Sequence, residues 1–175
     1  MKVLGISGSL RKASINSALL RAAQALAPEG MTLTIFDGVG ALPLFNPDLE
    51  VNMPDPVRAL HAAVAQADAL LIASPEYGHG VTAVIKNALD WLVSFEPAAG
   101  KRVALLNAAP RAHHADLALR EILRTMALDI VEPASGILTV MRTDDERAMI
   151  ADPILAAAIR RHLAALAGTA AGSVI

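Results

Sequence analysis

Ala69-Leu70-Leu71-Ile72-Ala73-Ser74-Pro75-Glu76-Tyr77-Gly78-His79-Gly80-Val81-Thr82-Ala83-Val84-Ile85-Lys86-Asn87-Ala88-Leu89-Asp90-Trp91 changes character twice along its length. The opening run, Ala69 to Ser74, is almost continuously apolar, which suits a strand covered on both faces rather than a half-exposed one. Residues Ser74 to Val81 then concentrate proline, two glycines and the only tyrosine of the chain. The next segment, near 80–95, has helical period. A strand, a loop and a helix follow one another without a break.

The same unit recurs outward from this stretch in both directions. Lys2 to Ser7, Met31 to Phe36 and Arg102 to Asn107 read as strands, with a fifth through Ser135 to Val140. Helical candidates lie near 14–27, 55–67, 113–127 and 150–167. Leu155, Ile159, Leu163 and Leu166 repeat on one face of the last, opposite Arg160 and Arg161. Five such repeats predict an α/β protein of three layers, a parallel sheet with helices on both faces. No glycine- or proline-rich linker divides residues 1–175, so one domain is expected. The longest irregular stretch, Asp37 to Pro56, holds Pro43, Pro47, Pro54 and Pro56; a loop of that length is usually functional or wraps a sheet edge.

Composition narrows the function. The 175 residues carry fifteen Lys+Arg against seventeen Asp+Glu, a formal charge of −2, which argues against a non-specific nucleic-acid binder. The absence of cysteine removes thiol nucleophiles, cysteine-ligated zinc, iron–sulfur clusters and disulfides. The first residues have one positive charge and a short apolar run, so they read as a mature cytoplasmic start rather than a signal peptide. No uncharged apolar run is long enough to predict a membrane span.

In doubly wound sheets, ligands sit outside the carboxyl ends of the strands, where strand order reverses. Three loops qualify. The first, Gly8-Ser9-Leu10-Arg11-Lys12-Ala13-Ser14-Ile15-Asn16, runs into a helix whose unpaired N–H groups and positive dipole end suit a phosphate. Ser9, Ser14 and Asn16 add neutral donors, and Arg11 adds a planar charged fork. The alternative is a serine-capped helix with surface cations. Neither G-x-G-x-x-G nor the P-loop pattern is present, so a single phosphate monoester fits better than a dinucleotide or triphosphate. Asp37 does end the second strand, where a dinucleotide fold keeps its ribose-binding acid. In the second loop, Gly78 and Gly80 let backbone approach a flat ligand, and Tyr77 can pack beside a ring. Tyr77 taken alone reads more readily as a core or interface residue. The third loop is Asn107-Ala108-Ala109-Pro110-Arg111-Ala112-His113-His114.

Gly8-Ser9-Leu10-Arg11-x-x-Ser14-x-Asn16, Pro75-Glu76-Tyr77 and Lys86-Asn87-Ala88-Leu89-Asp90-Trp91, with Leu42-Pro43-Leu44-Phe45, resemble the NAD(P)H-dependent FMN reductases of flavodoxin-like fold, a family that includes quinone, chromate and azo-dye reductases. The resemblance implies a five-stranded parallel sheet of order 2-1-3-4-5. It implies FMN, with its phosphate held by Ser9, Arg11, Ser14 and Asn16 and its ring lined by Pro75, Glu76, Tyr77, Gly78, His79 and Gly80. It also implies NADPH or NADH as co-substrate, a small-molecule electron acceptor, and a homodimer or homotetramer with the Trp91 helix near a subunit interface. Gly78, Gly80 and Thr82 depart from the asparagine, serine or threonine, and proline that the family often has there. The third loop has alanines and Pro110 where the family usually has glycines, and Arg111 could meet a nicotinamide phosphate or an anionic substrate.

On this reading hydride passes from NAD(P)H to flavin and then to an acceptor, so no protein residue is assigned as a catalytic acid or base. Glu76 reads as a structural carboxylate bonding backbone. A non-catalytic FMN-binding redox partner or sensor, and a Rossmann-type NAD-binding protein, are the competing readings. A serine hydrolase using Ser9, His162 and Asp152 lacks a base aimed at the sheet edge. His113, His114 and Asp116 have no third ligand at metal spacing, so no metal is expected. Lys86 and Asp90, four apart, read as an intrahelical pair. Asp144-Asp145-Glu146-Arg147 reads as a cap for the final helix.

Overall fold

The computed structural model describes residues 1–109, 113–141 and 145–168. Strands β1 (Lys2–Ser7), β2 (Thr32–Phe36), β3 (Ala69–Ala73) and β4 (Arg102–Asn107) pair in parallel in the order β2-β1-β3-β4. Val3 sits in register with Leu33 on one side and Ala69 on the other, and Leu70 faces Val103. The order 2-1-3-4-5 expected from the resemblance is the order found.

The fifth position differs in detail from the single strand Ser135 to Val140. It is filled by two short strands, β5 (Asp129–Ile130) against Arg102 and Val103, and β6 (Gly136–Ile137) against Leu106 and Asn107. A 3-10 turn at Glu132–Ala134 separates them and contains Pro133, which has no N–H to give a ladder. Ser135 bridges the gap, its hydroxyl accepting from the Leu105 N–H at 3.1 Å and donating to the Val131 carbonyl at 3.1 Å.

The α-helices among the described residues are α1 (Ile15–Ala25), α2 (Asp55–Gln66), α3 (Ala83–Asp90), α4 (His113–Thr125), α5 (Glu146–Ala151) and α6 (Pro153–Ala167). Alternate strand residues feed two cores. Val3, Leu33, Leu71 and Leu106 pack on α1, α5 and α6 through Leu19, Leu20, Met149, Ile159 and Leu163. Leu4, Ile6, Leu70, Ile72 and Leu105 pack on α2, α3 and α4 through Leu60, Val64, Leu89 and Leu123. Strands of continuous apolar character are what a sheet buried on both faces requires.

Two helix boundaries depart from expectation. The helix drawn over 150–167 breaks at Asp152–Pro153, where proline lacks the N–H to continue α5 and the Asp152 carboxylate caps α6 through Ile154 N at 2.8 Å and Leu155 N at 3.2 Å. Asp145 caps α5 through Ala148 N at 2.9 Å, whereas Asp144 lies outside the described residues. Helix α3 is shorter than 80–95. Thr82 caps its start, and Leu92 N–H turns back to Leu89 O in a tightened last turn.

Candidate functional site

Parallel pairing of β1 with β3 puts their carboxyl ends side by side, and with them the first and second loops. The approach is close enough to require Gly8, since a Cβ there would lie 2.1 Å from Ser74 Oγ and 3.0 Å from Ser74 Cα. The Gly8 N–H bonds the Ala73 carbonyl at 2.9 Å. The Gly8 carbonyl in turn accepts from Thr82 Oγ1 at 2.8 Å, and the same oxygen caps α3 by accepting from Ile85 N–H at 3.3 Å. Thr82 therefore joins the two loops, a role that its sequence context does not reveal, since there it stands only as a departure from the family's proline.

In the first loop, Ser14 is the N-cap of α1, with extended backbone and its oxygen accepting from Ser17 N–H at 3.3 Å. Ser9 Oγ accepts from Arg11 N–H at 3.4 Å, and the hydroxyls of Ser7 and Ser17 bond at 2.8 Å. Ser9, Ser14 and Asn16 are buried while Arg11 is exposed. Capping thus coexists with features capping does not explain. Asn16 Oδ1 is buried without any hydrogen-bond partner, an expensive condition for a polar atom. A ligand carrying both hydroxyl donors and phosphate acceptors satisfies this amide and the free N–H groups of the α1 terminus together. FMN is such a ligand.

The second loop is a tight reversal. Tyr77 N–H and Gly80 O pair at 3.2 Å and Gly80 N–H and Tyr77 O at 3.1 Å, with Gly78 and His79 both at φ +58° between them. Two successive positive φ values define a type I′ turn. A Cβ on Gly78 would meet nothing within 4 Å, so its backbone faces open space. Tyr77 is 60% exposed, which removes the core reading and leaves its ring available.

Glu76 holds this turn in place. Its carboxylate accepts from Ala115 N–H in the first turn of α4 at 2.8 Å and from His79 Nδ1 at 3.1 Å, with the side chain 11% exposed. The Ala115 N–H above all, with the His79 bond and the charges of His114 and His79, lowers its pKa below the ordinary value despite burial. This is the structural carboxylate expected. The His79 ring meets His114 edge-on at 4.5 Å, and His114 lies 4.1 Å from His113. In the third loop, Asn107 Oδ1 accepts from Ala109 N–H at 2.8 Å, and Pro110 and Arg111 lie outside the described residues. Asp116 is taken by Arg120 at 2.6 Å.

The Lys86-to-Trp91 motif acts on the Asp37–Pro56 stretch rather than on a ligand. Asn87 Nδ2 and Trp91 Nε1 both donate to the Pro43 carbonyl, at 3.0 and 2.8 Å, and Asn87 Oδ1 accepts from Phe45 N–H at 2.8 Å. Phe45 sits edge-on to Trp91 at 5.0 Å. Trp91 is buried within the chain, and Lys86 pairs with Asp90 as expected. The hydrolase reading loses its base: His162 lies on α6 against Gly136 of the outer strand β6, separated by β4 and β3 from the β1 that leads to Ser9.

Strand order, crossed loops and an open tight turn define the class: a flavodoxin-like α/β protein with its candidate ligand site at the β1/β3 edge. The chain belongs to the NADPH-dependent FMN reductase family, whose model matches residues 1–143. It is 43% identical over 112 residues to an NAD(P)H-dependent FMN reductase of Pseudomonas aeruginosa, covering 62% of this chain and 60% of that protein. It is 47% identical over 96 residues to an NADPH:quinone oxidoreductase of Arabidopsis thaliana, covering 52% and 48%. The matches thus span only about half to three fifths of these curated relatives. The flavoenzyme NAD(P)H:(acceptor) oxidoreductase FerB of Paracoccus denitrificans superposes with a TM-score of 0.75 at 25% identity, over 95% of this chain and 97% of that one.

Proposed function

We propose that this chain is an FMN-dependent oxidoreductase that uses NADPH or NADH to reduce flavin, a quinone or a similar small acceptor. The observation that carries the reading is the joining of the two loops at Gly8 and Thr82, with a buried, unpartnered Asn16 oxygen in one loop and an open-backed turn in the other. Membership of the family, and the relatives named FMN and quinone reductases, support it. When bound, FMN would supply the redox chemistry between nicotinamide and acceptor.

The residues of the chain bind and orient. Ser9, Arg11, Ser14 and Asn16 hold the phosphate end, where Arg11 contributes charge and the α1 terminus contributes N–H groups. Pro75, Tyr77, Gly78, His79 and Gly80 line the ring, and Glu76 fixes their turn against α4. The sheet order favours this reading over a Rossmann-type NAD binder, whose usual order is 3-2-1-4-5. Residues 1–175 act as one FMN-binding domain in the cytoplasm; no helix among the described residues is long and apolar enough to cross a membrane. Val51 and Val93 are both largely exposed, and the Ser94–Glu50 bond at 2.7 Å brings their segments together, which supports a homodimer or homotetramer through this face.

The test is a visible spectrum and FMN titration of the purified protein, followed by NADPH and NADH oxidation with a quinone. Saturable FMN binding with turnover supports the proposal. FMN binding without turnover favours the redox partner or sensor. Protein that ignores FMN refutes the flavin assignment.

A further inference from the structure

The turn after β3 carries an imidazole where its geometry favours glycine. The second central position of a type I′ turn, here His79 at φ +58°, belongs by preference to a residue without a side chain. An L-residue adopts left-handed backbone at a conformational cost, which persists only where surrounding contacts over-determine it. Two contacts do so here. His79 Nδ1 bonds Glu76 Oε1 at 3.1 Å, and its ring meets His114 of α4 edge-on at 4.5 Å.

The His79–Glu76 pair has a direction. Glu76 is itself anchored, since its other carboxylate oxygen accepts from Ala115 N–H at 2.8 Å. That bond above all favours the ionised carboxylate, and an ionised carboxylate only accepts hydrogen bonds. Nδ1 therefore carries a hydrogen, and Nε2 is the nitrogen left to take up and give back a proton. Nε2 has no hydrogen-bond partner among the described residues, and 78% of the side chain is exposed. The titratable groups that face the ring are Glu76 in its own turn and, from α4, His114 with its neighbour His113. For holding the turn alone, glycine at 79 would suffice without strain. An anchored carboxylate that sets the tautomer of an imidazole, with the far nitrogen open at the ring loop, is the arrangement of a proton donor.

We propose that His79 donates a proton to the bound electron acceptor, with Glu76 as its positioning residue. The inference rests on the oxidoreductase reading. Reduction of a quinone to a hydroquinone adds one hydride equivalent, drawn from NADPH or NADH, and one proton. Protonated His79 gives that proton from Nε2 to a quinone oxygen, its N–H bond breaking as the O–H bond forms, and water restores it.

The test compares a quinone with ferricyanide, which takes one electron and no proton. Stopped-flow reoxidation of prereduced, FMN-loaded protein is slowed by His79→Gln at least about tenfold more with the quinone than with ferricyanide. His79→Gly, which relieves the turn, shows the same selective loss. In the wild type the quinone rate, relative to ferricyanide, declines as pH rises and the ring loses its proton; His79→Gln flattens that limb. A second readout needs no turnover: NMR of the imidazole nitrogens in the flavin-free chain finds the neutral His79 ring protonated on Nδ1. Equal slowing with both acceptors would reduce His79 to a turn contact and overturn the proposal, as would a neutral ring protonated on Nε2. Protein that does not bind FMN refutes the oxidoreductase reading and the proposal together, whereas those two results overturn the proposal alone.

Discussion

Thr82 Oγ1 donates to the Gly8 carbonyl at 2.8 Å across seventy-four positions of chain, and the same oxygen caps α3. One hydroxyl therefore serves the loop after β1 and the helix after β3. Thr82→Val keeps the shape but leaves the Gly8 carbonyl and the Ile85 N–H without this partner, both in buried surroundings. The expected loss is about 1–3 kcal/mol in denaturant unfolding, together with weaker FMN binding. Thr82→Ser, which keeps the hydroxyl, restores most of both.

The Pro43 carbonyl receives two donors from α3 and the residue that ends it, and the stretch around it has little regular structure of its own. Trp91→Phe removes one donor while keeping an aromatic ring against Phe45, and costs about 1–3 kcal/mol. Asn87→Ala also frees the Phe45 N–H. Limited proteolysis checks both, with new cleavage expected within residues 37–56 before elsewhere.

Tyr77→Ala tests the ring loop. Because the side chain is mostly exposed, unfolding stability changes by less than about 0.5 kcal/mol. FMN affinity falls about tenfold, a loss in keeping with removal of one aromatic contact. A large drop in stability with unchanged FMN affinity would return Tyr77 to the core.

Glu76 gives the acid limb of stability a specific cause. Its folded pKa lies below the ordinary 4.5, chiefly through the Ala115 N–H. The unfolded state therefore binds its proton first, and the contribution is complete above 4.5 and lost as pH falls from there through the lowered folded value. The stability difference between wild type and Glu76→Gln, followed by denaturant titration at successive pH, shrinks over that window.

His162 supplies an independent limb. Burial first, and then the Arg161 charge, lowers its pKa below 6.5. The neutral ring suits the fold, so stability is retained above 6.5 and declines as pH falls through the lowered value. Its ring also sets the size limit at Gly136, where a Cβ would lie 2.7 Å from His162 Cε1. Gly136→Ala costs about 1–3 kcal/mol, and His162→Ala in the same chain recovers most of the clash, as a double-mutant cycle in urea would reveal.

What was legible in the sequence was what depends on local pattern. Continuous apolar runs located β1 to β4, and proline and glycine at strand ends located the loops. Bonds between distant segments were not legible. Nothing near Thr82 announces Gly8, and nothing near Trp91 announces the Pro43 carbonyl, because both pairs depend on how helices settle on the sheet. The break at Asp152–Pro153 did carry a signal, an N-cap acid followed by proline, which the unbroken apolar period of Leu155 to Leu166 obscured. Asp129 and Ile130 were too short a run to register as a strand.

The divided fifth strand also governs how this molecule behaves beside its own copies. A long, flat outer strand would present a continuous row of N–H and C=O groups on which a stray chain could build. Here that border is two residue pairs, a proline turn and a serine hydroxyl turned inward. An incoming segment finds no uninterrupted template along these residues, which disfavours edge-to-edge pairing on this flank.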